Sequence, residues 1–186
     1  MVIALIVVAV IVGLVGFVIV GFNKLRTTDI AAQEALGGID VQLTRRADLI
    51  PNLVETVKGY AEHEAGVLRR VTEARAAAEQ HRGDAPADRR PFEEEVGGAL
   101  RGVLAVAEAY PDLKASANFL HLQQELTNTE DRIAAGRRFY NGNVRALNTR
   151  VRTFPSNVVA SMFGFTTKDF FELTDPAAAA APATGF

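Results

Sequence analysis

The chain has 186 residues, 20 Lys and Arg against 22 Asp and Glu for a net charge of -2, and no cysteine. That length suits one ordinary domain with appendages, and the balanced charge argues against a nucleic-acid surface or a polybasic lipid tether. Without cysteine there are no disulfides, thiolate zinc sites, iron–sulfur clusters or cysteine nucleophiles, and the redox compartment stays open.

The first element is the stretch VIALIVVAVIVGLVGFVIVGF, Val2 to Phe22, which carries no charge and no polar side chain. It matches the roughly 20 apolar residues that a bilayer crossing needs. A cleaved signal peptide would want a basic start, a shorter apolar run and a small-residue cleavage site, and none is evident. The stretch predicts a retained transmembrane helix over residues 1–22, with the lipid bilayer as its first partner. Lys24, Arg26, Arg45 and Arg46 follow it. The positive-inside rule then places the N-terminus outside and the remainder in the cytoplasm, as a single-pass protein of the cell (inner) membrane. Ala9, Gly13 and Gly16 share one face of this helix at a spacing that lets another helix approach closely.

Steps of seven from Leu25 meet Ala32, Ile39, Arg46, Leu53, Tyr60, Val67 and Ala74; steps from Leu36 meet Leu43, Ile50, Val57, Glu64, Val71 and Ala78. Most of these are apolar, so residues 24–80 predict one helix, or two collinear ones, with a continuous buried seam. A rod of that length would project on the order of 85 Å from the bilayer. The stretch HRGDAPADRR has glycine, proline and nothing apolar to bury, which predicts an exposed hairpin tip. A second segment is expected from Pro91 to Ala109, where Phe92, Val96, Leu100, Val103 and Ala107 recur at helical spacing behind the helix-starting turn PFEEE. Tyr110 and Pro111 mark either a reversal of direction or a kink. A third segment, Asp112 to Phe154, places Phe119, Leu122, Leu126, Ile133, Tyr140, Leu147, Val151 and Phe154 on one stripe, and Pro155 closes it.

The fold class is therefore all-α: an N-terminal transmembrane helix and an elongated antiparallel bundle of three to four long helices. The bundle domain is expected over residues 23–173. Its last part, SNVVASMFGFTTKDFFEL, is rich in apolar side chains that should dock somewhere. Phe163, Phe165, Phe170 and Phe171 either cap the bundle or, with Ala9, Gly13 and Gly16, offer an oligomer or partner surface. Residues 174–186 are an Ala/Pro-rich, low-complexity stretch expected to be disordered.

Four stretches carry a family resemblance: FNKL after the span, IDVQLTRRADLIPNLVETVKGYAEHE, AEAYPDLKASANFLHLQQELTNTEDRIAAGRRFYNGNVRALN and FPSNVVASMFGF. Together, and in this order, they resemble the LemA family of bacterial proteins, and they cover most of residues 22–165. Residues 80–98 and those after Leu173 add nothing to the likeness. The resemblance implies one N-terminal span and a cytoplasmic-side helical bundle, and it implies no biochemical activity. It implies a tyrosine where this chain has Phe22, so a hydroxyl has no role at that position.

The stretch GIDVQLTRRADLIPNL, residues 38–53, puts Arg46 on the buried seam with Arg45 beside it. A buried charge costs several kcal/mol unless an acid meets it, and Glu125, Glu130 and Asp131 stand on the boundary of the third segment's apolar stripe. Arg46 or Arg45 is expected to pair with Glu130 and so fix the register of two helices that apolar packing would let slide. Pro51 removes a backbone hydrogen bond to Ala47 and should kink or divide the helix, leaving a carbonyl for Asn52, Asn128 or water. Gly37 and Gly38 weaken the preceding turns or permit close approach. The expected polar network comprises Arg45, Arg46, Asp48, Asn52, Asn128, Glu130, Arg137, Tyr140 and Asn141.

This network lacks the marks of a catalytic or metal centre. Di-metal bundles use Glu-x-x-His on two helices, whereas His63, His81 and His121 stand apart. No phosphate cradle, zincin motif or nucleophile elbow occurs, so no cofactor or metal is expected and the chain reads as a non-enzyme. The favoured function is a homo-oligomeric scaffold on the cytoplasmic face of the membrane. The alternatives are an adaptor for a membrane protein such as a quality-control protease or an envelope-stress component, and, disfavoured by the missing spacing, a metal-binding bundle enzyme.

Overall fold

The structure, a computed structural model, describes residues 1–172. Among these residues there are six α-helices and no strand: α1 Val2–Lys58, α2 Ala65–Gln80, α3 Pro86–Glu108, α4 Pro111–Lys114, α5 Ala117–Arg152 and α6 Ser156–Met162, with a 3-10 turn at Glu62–Glu64 before α2. The fold is all-α, as the periodicity and resemblance lead one to expect. The stretch expected to be disordered, 174–186, lies outside the described residues. The described residues form two compact units, one of residues 1–37 with 138–170 and the other of 38–137 with 171–172. Helices α1 and α5 contribute to both.

In the second unit, the part of α1 after Gly37 buries Ile39, Leu43, Arg46, Ile50, Leu53 and Val57, the positions that sevenfold stepping selects. The register ends there, because Tyr60 is exposed. Residues 24–80 are not one rod, nor two collinear ones. Helix α2 doubles back on α1, with the Arg75 Nε–H donating to the Ala47 carbonyl at 2.7 Å. Val67, Val71 and Ala74 continue the sevenfold count only because α2 has its own apolar stripe, which conceals the break at Gly59. Helix α3 begins at Pro86, five residues before the expected start. Both prolines suit a first helical turn, and starting at the earlier one carries Arg89 onto the stripe Glu93, Val96, Leu100, Val103 and Ala107. The supposed hairpin tip thus supplies a buried residue.

The pairing of Arg70 with Glu95 and the approach of Gly102 to Val67 set α2 and α3 antiparallel. Asp40 with Arg89 and Arg46 with Glu93 set α3 parallel to α1. Ile39 against Gly136 and Arg46 with Glu130 set α5 opposite to α1. The chain therefore reverses at residues 109–116, which decides between reversal and kink at Pro111, and α1, α2, α3 and α5 form an up-down-up-down four-helix bundle. Its core joins Ile50, Leu53 and Val57 with Leu68, Val71, Leu100, Val103, Leu113 and Phe119.

Pro51 lies inside α1, which runs on to Lys58, so the proline does not divide the helix. The carbonyl it frees is that of Ala47, and the acceptor is satisfied by Arg75 rather than by Asn52 or Asn128. Gly37 and Gly38 face open space. Close approach is needed instead at Gly136, where an added Cβ would lie 2.9 Å from Ile39 Cγ1.

In the first unit, Leu25 of α1, Leu147 of α5 and Val159 and Ala160 of α6 form a small core, joined by Val18, Phe22, Val151 and Phe165. Phe154, expected on the buried stripe, is exposed because α5 has ended at Arg152. The residues of α1 before Val18 leave their apolar side chains uncovered, and the helix is long and apolar enough to cross a membrane.

Candidate functional site

The most unusual chemistry lies in the four-helix unit. Arg46 falls on the apolar face of α1 because it stands seven residues after Ile39 and seven before Leu53, so its guanidinium enters the core. There Nη2 is paired with the Glu93 carboxylate of α3, and Nη1 donates to Glu130 Oε1 of α5 at 3.0 Å. The Arg46 and Glu93 side chains are only 3% and 6% exposed, whereas Glu130 is 43% exposed. Arg89, one helical turn before Glu93, lies 2.7 Å from Asp40, a charge contact whose angle falls short of a hydrogen bond. Its guanidinium also stands 5.6 Å from the centre of the Phe171 ring, within cation–π range. Arg45 reaches Glu125 on the rim.

Burial pushes the Glu93 carboxyl above the usual carboxylate range; the charges of Arg46 and Arg89 work against this, and Glu130 adds to it. Desolvation outweighs pairing here, as it commonly does for enclosed charges. Beside the pair is a cavity of about 20 Å³, lined by Leu43, Ile50, Arg75 and Val96 among others. That is room for one water, not for a substrate.

The expected network divides on inspection. Arg45, Arg46 and Glu130 belong to the cluster. Asp48, Asn52 and Asn128 are exposed, and Asn128 accepts from Gln124 of its own helix at 3.1 Å. Polarity alone points to these residues, and the helical phase turns them outward. Arg137 and Asn141 are half-buried, while Tyr140 belongs to the other unit, where its hydroxyl donates to the Asp169 carbonyl at 2.9 Å. Burial, helped by the Asp169 charge, raises the Tyr140 phenol above its ordinary range. Glu93, Arg89 and Asp40 escaped the sequence reading; the available signal was the 89, 93, 96, 100 spacing, which becomes visible only once the helix is started at Pro86.

The first unit has its own polar centre, also unforeseen. Asp29, on the buried side of α1, meets Lys168 at 2.7 Å and accepts from Gln33 at 3.0 Å. The Asn148 amide grips the backbone of Lys168 from both sides, donating to its carbonyl and accepting from its N–H at 2.8 Å each. These bonds pin the extended segment that follows α6. Of the aromatic residues offered as a partner surface, Phe163 is exposed, Phe165 and Phe170 are half-buried, and Phe171 is enclosed in its own unit. Phe171 is thus core, drawn in by Arg89. Ala9, Gly13 and Gly16 are exposed, with no atom near enough to touch a Cβ at either glycine.

Among the described residues, no three His, Cys, Asp or Glu side chains converge as a metal set. His81 is stacked on Phe92 and bonded to the Ala77 carbonyl, and His63 and His121 are exposed.

The LemA family model matches residues 35–186. The chain belongs to the LemA family. The match begins inside α1 and takes in residues 80–98 and the C-terminal stretch, where the sequence reading found no likeness, and it leaves out FNKL. This LemA family chain is 30% identical over 152 residues to Protein LemA of Metamycoplasma hominis, covering 80% of this chain and 68% of that one. It is 33% identical over 76 residues to Magnetosome protein MamQ 2 of Paramagnetospirillum magneticum, covering 41% of this chain and 28% of that one. With Magnetosome protein MamQ of Magnetospirillum gryphiswaldense it shares 29% over 75 residues, 40% of this chain and 28% of the relative. The chain thus spans little more than a quarter of the length of the MamQ proteins.

Proposed function

We propose that this chain is a membrane-anchored, non-enzymatic scaffold that self-assembles on the cytoplasmic face of the bacterial inner membrane. Residues 1–22 act as the anchor, N-out, and residues 23–173 act as the bundle domain. The observation that carries the non-enzymatic reading is the enclosure of Arg46 and Glu93, 3% and 6% exposed, beside space for a single water. A cluster so closed serves alignment: Arg46 ties α1 to both α3 and α5 and specifies which turn of each helix faces which. Anchoring is supported by the uncovered apolar length of α1, and assembly by the small-residue face of Ala9, Gly13 and Gly16. Relatives named as magnetosome proteins fit a role in building a cell structure rather than in turning over a metabolite. Chemical crosslinking of the full chain in native membranes tests the assembly. A ladder that closes at one discrete size is expected, and a monomer at every expression level would rule it out.

A second reading, an adaptor for another membrane protein, is favoured by one feature. A groove of about 310 Å³ opens between α1 and α2, lined by the apolar Val54, Ala65 and Leu68 and the charged Lys58, Glu62 and Arg69 among others. Pull-down from membranes with Ala65→Arg, and with residues 156–172 deleted, separates the readings. Loss of heterologous partners with self-association kept would favour the adaptor.

A further inference from the structure

Helix α6, with the turn that leads into it, carries an apolar surface that its own unit does not cover. Phe154, Val158 and Met162 are 78%, 51% and 63% exposed. The opposite side of the same helix is firmly seated: Val159 and Ala160 are buried with Leu25, and the Val159 methyls come so close to Gly21 that a Cβ there would lie 3.2 Å away. Phe163, just past the helix, packs on the ring of Phe22 with centroids 4.8 Å apart.

What matters is where on α1 this docking occurs. Gly21 and Phe22 are the last residues of the apolar stretch, and Val18, which also packs against the small core, lies inside it. A stretch of this length rises about 30 Å, the thickness of the hydrocarbon layer, so none of it is spare if it crosses a bilayer. An element seated against Val18, Gly21 and Phe22 is therefore held at the level where acyl chains meet headgroups. The flanks agree: Lys24 and Arg26 follow the apolar stretch, and Arg152 ends α5 just before Phe154, all exposed, as is usual for residues that carry apolar stems toward lipid and hold their charge at the headgroups.

We propose that α6 and the turn before it form a second membrane element, a short interfacial segment that beds Phe154, Val158 and Met162 into the cytoplasmic leaflet of the bilayer that α1 crosses. The first unit would then be held to the membrane at two points, which fixes its tilt as a single flexible crossing would not. This rests on the reading of α1 as a span, and the test separates the two.

The chain has no tryptophan, so one introduced residue is a unique fluorophore. Full-length Val158→Trp, Met162→Trp, Leu14→Trp and Val41→Trp variants, with helix content checked by circular dichroism, are reconstituted into phosphatidylcholine/phosphatidylglycerol vesicles. The vesicles carry lipids brominated near either the carbonyl or the methyl end of the acyl chain. The Leu14 variant should be quenched by the deep label, the Val158 and Met162 variants by the shallow one, and the Val41 variant by neither. Quenching of the Leu14 variant with none at Val158 and Met162 overturns the inference and leaves the span standing. No quenching of the Leu14 variant overturns both. A Val158 variant shielded from aqueous iodide yet untouched by either lipid label means that protein covers α6, a second copy included, and also overturns it.

Discussion

Replacing Arg46 by Met is the perturbation most informative about the bundle. The side chain that remains fills similar space, so the loss is that of charge and hydrogen bonds. Glu93 is left 6% exposed without its main partner, and Arg89, one turn away, already faces Asp40. Uncovering one half of a buried pair costs about 3–5 kcal/mol. The second partner adds little, because Glu130 is 43% exposed and water screens it; Glu130→Gln alone should stay within about 1 kcal/mol of the parent. For a domain of this size each kcal/mol moves the midpoint by roughly 2–4 °C, so Arg46→Met should unfold about 6–20 °C below the parent. Protonation of Glu93 offers relief, so the deficit should narrow toward acid pH. The double variant Arg46→Met/Glu93→Leu removes both charges and should return to the parent midpoint or exceed it, since apolar replacement of an enclosed pair is commonly neutral or stabilising. Thermal unfolding of the full chain in detergent, followed by circular dichroism, reads all four proteins. An unchanged midpoint for Arg46→Met, or a double variant as unstable as the single, would refute the account of the cluster.

Because the folded-state pKa of Glu93 lies above its unfolded value, the folded protein binds the extra proton, and the contribution of Glu93 to stability declines as pH rises through that raised pKa. The stability difference between the parent and Glu93→Gln should accordingly be most favourable to the parent at acid pH and shrink toward neutrality, as read by denaturant titration at a series of pH values. Gly136→Ala should cost about 1–3 kcal/mol through its clash with Ile39, whereas Gly38→Ala, in open space, should gain up to about 1 kcal/mol; midpoints of urea unfolding decide both. Arg75→Met should lose about 1–3 kcal/mol by orphaning the Ala47 carbonyl, and much less in a Pro51→Ala background, where an N–H at 51 can serve that carbonyl instead. Asn148→Ala should release the segment after α6, raising amide exchange at Lys168 roughly ten- to a hundredfold for a local loss of about 1–3 kcal/mol.

The helical content is legible because apolar residues recur at helical spacing throughout, and the buried positions of α1 from Ile39 to Val57 are those that sevenfold stepping selects. The turn after Lys58 was not, because α2 happens to keep the same count while running the other way, and only tertiary contacts such as Arg75 with Ala47 reveal the reversal. The start of α3 was ambiguous between two prolines five residues apart, and choosing the later one hid Arg89 and made Glu93 look like an ordinary first-turn acid. The position of Arg46 in the seam announced a buried charge. The identity of its innermost partner depended on a helix boundary that local sequence leaves undecided. Asp29 and Asn148 gave no signal, because what they hold is an extended segment with no periodicity.

The central claim, a scaffold that assembles through its membrane-anchored form, is tested most directly by electron microscopy of the intact chain extracted with its native lipid into nanodiscs. The account predicts particles of one defined multiplicity, with helical bundles rising from one side of the disc. Particles that contain a single copy at every protein concentration would contradict it.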